Sequence, residues 1–128
     1  MPLVTIRTAL RPTEDPEKVR TAILNIFPQS EITAEEGEIV AKTGSLDRFK
    51  TLIRNQQILD SVRHKLLDGM ASGSTSISLN KQAAFVKRVS LSEGRAALGN
   101  IEVTIESEDI ERLIDEVAPR TVDGVEVR

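Results

Sequence analysis

The chain has 128 residues and a formal net charge of −3, with no cysteine and a single histidine, His64. That excludes a disulfide scaffold and a thiol nucleophile, and leaves a zinc site short of its usual donors. No apolar run reaches the ~18 residues of a membrane span, and the N-terminus lacks a signal-peptide pattern. The expectation is a cytoplasmic protein with one domain over residues 1–128, long enough to bury a core without metal.

Leu3 to Thr8 alternates at period two and predicts a strand. Asp15-Pro16 supplies an N-cap and a proline at the first helical position, Val19, Ile23 and Ile26-Phe27 form the stripe of the helix that follows, and Pro28 closes it. Residues 31–33 and 38–43 read as a hairpin around Glu35-Glu36-Gly37. Ser45 then caps one long helix over about residues 46–68, with Leu46, Phe49, Leu52-Ile53, Leu59, Val62 and Leu66-Leu67 inward. Lys50, Arg54, Ser61 and Lys65 gather on its opposite side.

Residues 71–75, "ASGST", form a short connection without the GK[ST] of a phosphate loop. Residues 76–79 read as a strand, and Asn80 caps a short helix to about Lys87. Val89 to Leu91 reads as a further strand. Ile101, Val103 and Ile105 alternate with polar residues in the next one. Ser107 caps a last helix with Glu108 and Asp109 in its first turn; Pro119 ends it, and Asp123-Gly124 marks a tight turn. The mixture predicts an α+β two-layer sandwich, a mainly antiparallel sheet with helices on one face.

Charge is unevenly distributed. Residues 42–95 hold ten Lys/Arg against four Asp/Glu, and the remainder holds seven against sixteen. Such asymmetry suits a polyanion-binding face, and equally an attraction between the two parts or toward a partner subunit.

Nothing in the chain spells out catalysis. No G-x-S-x-G surrounds a serine, and His64, four residues after Asp60, reads as half of an exposed i,i+4 pair. Glu35, Glu36 and Glu38 read as an acidic turn, and Glu106, Glu108, Asp109 and Glu111 as a helix start. The expectation is a non-enzyme with no metal and no cofactor.

The stretch "NKQAAFVKR" (80–88) raises a more specific question. Ala83 to Val86 supply an apolar stripe, while Lys81, Gln82 and Lys87 fall at the ends or on the outer face. A lysine in the first turn opposes the helix dipole, so Lys81 is not placed there for helix stability. Spacing alone favours a solvated amphipathic turn over a phosphate-binding element. There is no Trp or Tyr, and Phe27, Phe49 and Phe85 all fall on apolar stripes, so base-stacking platforms are not expected. RNA, if bound, would be held through phosphate and shape.

"LNKQAAFVKRVSL" (79–91), "LGNIEVTIES" (98–107) and "APRTVDGVEV" (118–127), with "IRNQQILDSVRHKLL" (53–67), resemble an archaeal family of uncharacterised proteins carried under an RNA-binding label. The resemblance covers nearly the whole chain, and "NKQAAF" and "APRTVDG" are its most specific parts. It implies a fold similar to the large-subunit ribosomal protein that binds 5S rRNA, and no catalytic residues. A glycine is usual in that family where this chain has Lys87. The departure questions any backbone role there and adds a charge.

Some relatives carry a P-loop nucleotide-kinase-like domain, which implies a partner of that kind. The leading expectation is therefore an RNA-binding module in which Lys81, Gln82, Lys87, Arg88 and Arg95 contact phosphates, extended by Lys50, Arg54 and Lys65. The alternative is a protein-interaction or dimerisation module, meeting a kinase-like partner or forming a homodimer. No membrane contact is expected.

Overall fold

The computed structural model describes residues 2–92, 99–122, 125 and 126. Five strands form one antiparallel sheet: β1 (Leu3–Ala9), β2 (Glu31–Glu35), β3 (Glu38–Thr43), β4 (Ser74–Asn80) and β5 (Asn100–Glu106), in the spatial order β2-β3-β1-β5-β4. The helices are α1 (Pro16–Ile26), α2 (Asp47–Asn55), α3 (Leu59–Asp68), α4 (Lys81–Phe85) and α5 (Ile110–Val117). A small hairpin of β6 (Thr121–Val122) and β7 (Val125–Glu126) follows. This is the two-layer α+β arrangement expected from the sequence.

Register explains which face is buried. Val4, Ile6 and Thr8 of β1 stand opposite Thr43, Ala41 and Ile39 of β3 and opposite Ile105, Val103 and Ile101 of β5. Thr75, Ile77 and Leu79 of β4 continue the same rows. All these positions are buried, because a period of two puts them on one side of the pleat. The apolar ones join the helix residues Val19, Ile23, Phe49, Ile53, Val62, Leu66 and Ile114 in one core cluster. Phe27 and Phe49 stack within it, with ring centroids 5.8 Å apart. Phe85 is half-buried and lines a shallow groove with Glu17, Lys18 and Thr21, so it is less a core residue than its stripe suggested.

The caps follow the sequence in part. Asp15 accepts a hydrogen bond from the Glu17 amide with Pro16 at the first helical position, and Asn80 Oδ1 accepts one from the Ala83 amide. The last helix is capped by Asp109, which accepts from the Arg112 amide, rather than by Ser107. Expected strand 89–91 is a single bridge between Leu91 and Leu79. The Asp123-Gly124 turn falls outside the described residues.

The expected long helix is two helices. α2 ends in a Schellman motif: the Ile58 amide donates to the Ile53 carbonyl, and the Gln57 amide to that of Arg54. Gln57 sits at φ +59°, a left-handed conformation that usually signals glycine, so nothing in the residue types announced the break. Gly69, which follows α3, is fixed by space: a Cβ there would collide with the Ser76 carbonyl oxygen of β4.

Candidate nucleic-acid interface

The open face of the sheet is polar and acidic. Arg7 and Lys42 are accompanied there by Glu31, Glu35, Glu38, Glu102 and Glu106, which the register sets on the face opposite the core-facing residues of their strands. Arg7 is tied to Glu38 at 2.9 Å, and Ser78 donates to Glu102 at 2.6 Å. Phosphate binding on this face would meet carboxylates, so cations that face RNA must lie on the helical side.

Lys81 is not among them. It opens α4 with its side chain fully buried, and Nζ lies 3.1 Å from Glu14 Oε2, whose side chain is 6% exposed. The same Nζ donates to the Ala9 carbonyl oxygen at 2.8 Å. One ammonium thus joins the end of β1, the segment before α1 and the start of α4. Lys81 thus serves something other than the stability of its helix, as its place in the first turn implies. Its target is an internal carboxylate instead of a phosphate, and Lys81 is withdrawn from the candidate site. Gln82, one residue on, is exposed.

The far end of α4 repeats the geometry of α2. The Arg88 amide donates to the Ala83 carbonyl, and the Lys87 amide to that of Ala84. Lys87 therefore occupies the left-handed position of a second Schellman motif, at φ +62°. This gives the position the backbone role for which glycine is usual, and here a lysine adopts it. Asn25 Nδ2 also donates to the Ala84 carbonyl, at 2.8 Å, and anchors the turn to α1.

Gln56 brings the two motifs together. Its Nε2 donates to the Val89 carbonyl at 2.7 Å, and its Oε1 accepts from the Val89 amide at 2.8 Å. One side-chain amide mimics a strand neighbour and holds the segment after α4 against the end of α2. Arg54, Lys87 and Arg88 are exposed at these two helix ends. Cations there also suit the negative end of each helix dipole. Val86 stands beside them at 67% exposure.

The other expected positions divide. Lys50 is half-exposed one turn before Arg54 on α2, and Lys65 is half-exposed on the separate helix α3. Arg95 lies outside the described residues. Arg63 is engaged elsewhere, donating to Asp115 at 2.7 Å and to the Ala118 carbonyl at the end of α5. His64 pairs with Asp68 at 3.3 Å rather than with Asp60, which accepts from Thr121 Oγ1. Among the described residues, no group of carboxylates and histidine is arranged to hold a metal ion, and no helix is long and apolar enough to cross a membrane.

Sequence reasoning missed Gln56 and Glu14. Their signal is tertiary: Gln56 and Val89 are 33 positions apart, and Glu14 and Lys81 are 67 apart.

A family model described as RNA binding matches residues 3–107. The chain belongs to that family. Its relatives include the UPF0201 protein of Methanothermobacter thermautotrophicus, 41% identical over 122 residues that cover 93% of this chain and 92% of the relative. The UPF0201 protein of Methanocaldococcus jannaschii is 44% identical over 130 residues, covering 95% and 75% respectively. A UPF0200/UPF0201 protein of Archaeoglobus fulgidus is 44% identical over 98% of this chain, which spans 40% of that relative's length. A 2.2 Å crystal structure of a UPF0201 protein from Methanococcus jannaschii has the same fold, with a TM-score of 0.93 at 41% identity, covering 98% of this chain and 99% of that one. The archaeal, uncharacterised, RNA-binding-labelled family expected from "NKQAAF" and "APRTVDG" is thus the UPF0201 family. Its label describes the family, and the residues that would carry RNA binding must be argued from the geometry above.

Proposed function

We propose that this UPF0201 protein is a non-catalytic RNA-binding module. In this reading the contact surface is the paired ends of α2 and α4, with Arg54, Lys87 and Arg88 on phosphates. Gln82 and Lys50 flank it, and Lys65 extends it. The observation that carries the reading is the reciprocal pair of hydrogen bonds between Gln56 and Val89. It ties the segment just after Lys87 and Arg88 to the end of α2 that carries Arg54, which supports treating these cations as one surface. The acidic open sheet argues against the opposite face. Three phenylalanines and no tryptophan or tyrosine argue against base stacking as the main contact. Structured RNA, read through its backbone and shape, is the ligand class that fits.

The test is UV cross-linking in archaeal cells followed by RNA sequencing, comparing the native protein with a Lys87→Gln/Arg88→Gln variant. Enrichment of one RNA class that the variant loses supports the reading. No RNA above background, or equal recovery with the variant, overturns it.

A second reading, a module docking on a protein partner, has support in the Archaeoglobus fulgidus relative, where a homologous stretch is joined to further polypeptide. There the same cations would meet an acidic protein surface. Affinity capture of a kinase-like protein, with no RNA recovered, would favour it. A homodimer belongs to the same reading, and a mass that rises with concentration in light scattering would mark it.

A further inference from the structure

The edge of the sheet formed by β2 presents a feature that RNA binding does not use. The Leu10 amide donates to the Gly37 carbonyl at 2.9 Å, which fixes the alternation of the β1–β3 ladder. Ile39 and Ala41 then direct their backbone groups toward β1, and Glu38, Val40 and Lys42 direct theirs toward β2. Their partners on β2 are Glu35, Thr33 and Glu31. The N–H and C=O groups of Ile32 and Ala34 consequently point away from the sheet, along its outer edge. Every β2 residue except Ile32 is exposed, and Ile32 packs against the core.

The two sides of this edge differ in chemistry. Ile32 and Ala34 lie on the helical side and are apolar. Glu31 and Glu35 lie on the open side. Glu35 stands opposite Glu38 in the register, a like-charge pair that is unfavourable on its own, and Glu38 is already engaged by Arg7. Glu36 adds a further carboxylate at the turn.

We propose that the outer edge of β2 is a docking site for an extended, basic segment of a partner protein, which adds to the sheet as another strand. Strand addition draws affinity from main-chain hydrogen bonds and specificity from alternate side chains. The alternation here calls for apolar residues against Ile32 and Ala34, and for Lys or Arg against Glu31 and Glu35. A second copy of this chain is the wrong occupant, because pairing β2 with itself about Thr33 sets Glu31 against Glu35 at both ends. The proposal is independent of the RNA-binding reading.

The experiment uses the intact protein and a short synthetic peptide alternating lysine and valine, with a glutamate–valine peptide as control. Amide exchange at Ile32 and Ala34 is followed by NMR. The lysine peptide, at about ten times its Kd, should slow exchange at both amides about tenfold, and the glutamate peptide should have no effect. Ala34→Pro removes an outward N–H without touching the β3 ladder and should abolish the effect. Should that variant fail to fold, Glu31→Lys/Glu35→Lys leaves the backbone intact and should reverse the preference between the peptides. No protection at Ile32 and Ala34, equal protection by both peptides, or an unreversed preference in the charge-swapped variant would overturn the proposal.

Discussion

Gln56 holds Val89 through both of its side-chain heteroatoms, at 2.7 and 2.8 Å, across 33 positions of sequence. The contact joins two helix ends that each finish in a left-handed residue, Gln57 and Lys87. An apolar replacement of Gln56 would leave the Val89 amide and carbonyl unpaired in a partly buried site. Gln56→Leu should therefore cost about 1 to 3 kcal/mol of stability, read as a shift in denaturant midpoint. It should also weaken RNA binding although no charge is lost, because Lys87 and Arg88 are no longer held beside Arg54. Unchanged RNA affinity in a destabilised but folded variant would separate the tether from the binding surface.

Lys81 and Glu14 form a buried pair, so their energetics differ from those of a surface contact. Removing one partner leaves an uncompensated buried charge. Lys81→Met should destabilise by about 3 to 5 kcal/mol, whereas Lys81→Met/Glu14→Leu should be near neutral or more stable than Lys81→Met by most of that amount. Chemical denaturation of the single and double variants completes the cycle. At a temperature where Lys81→Met stays folded, its RNA affinity should keep the native salt dependence, since the ammonium touches no phosphate in this account. A flattened salt dependence would return Lys81 to the binding surface.

Lys87 meets two demands that conflict. Its φ of +62° suits glycine, since an L-residue in the left-handed region pays about 1 to 2 kcal/mol. Glycine loses part of that gain through its greater freedom in the unfolded chain. Lys87→Gly should accordingly be neutral to about 1 kcal/mol more stable, while weakening RNA binding by one phosphate contact. Lys87→Val, β-branched, should destabilise. Thermal unfolding of both variants checks the first half, and RNA titration of Lys87→Gly the second.

The fold was legible where local chemistry and burial agree. Alternation at Ile101, Val103 and Ile105 gave β5, Asp15-Pro16 gave the start of α1, and Asn80 gave the start of α4. The break between α2 and α3 was not legible, because it relies on Gln57 in a conformation that a glycine would have advertised. Spacing pairs His64 with Asp60, four residues before it, whereas Asp68, four residues after it, is the partner in the fold. For the candidate site, Lys87 and Arg88 are exposed as their residue types suggest, whereas Val86, expected on the apolar stripe, is 67% exposed. The burial of Lys81 was not legible, because a lysine in a first helical turn reads as solvated until its carboxylate, 67 positions earlier, is brought in by the fold. Residue types signal what a side chain can do, and only the tertiary partner decides which use is made of it.

The central claim is that Arg54, Lys87 and Arg88 form one phosphate-binding surface at the ends of α2 and α4. The most direct measurement is the RNA affinity of the native protein and of an Arg54→Gln/Lys87→Gln/Arg88→Gln variant, using fragmented archaeal ribosomal RNA as probe, between about 50 and 200 mM salt. Arg112→Gln, exposed on the outer face of α5, serves as the control. The account predicts that the triple variant binds more weakly and loses about 2 to 3 units of slope in log affinity against log salt, at roughly 0.7 to 0.9 per contact, while the control retains the native slope. Equal slopes for the native protein and the triple variant would contradict it.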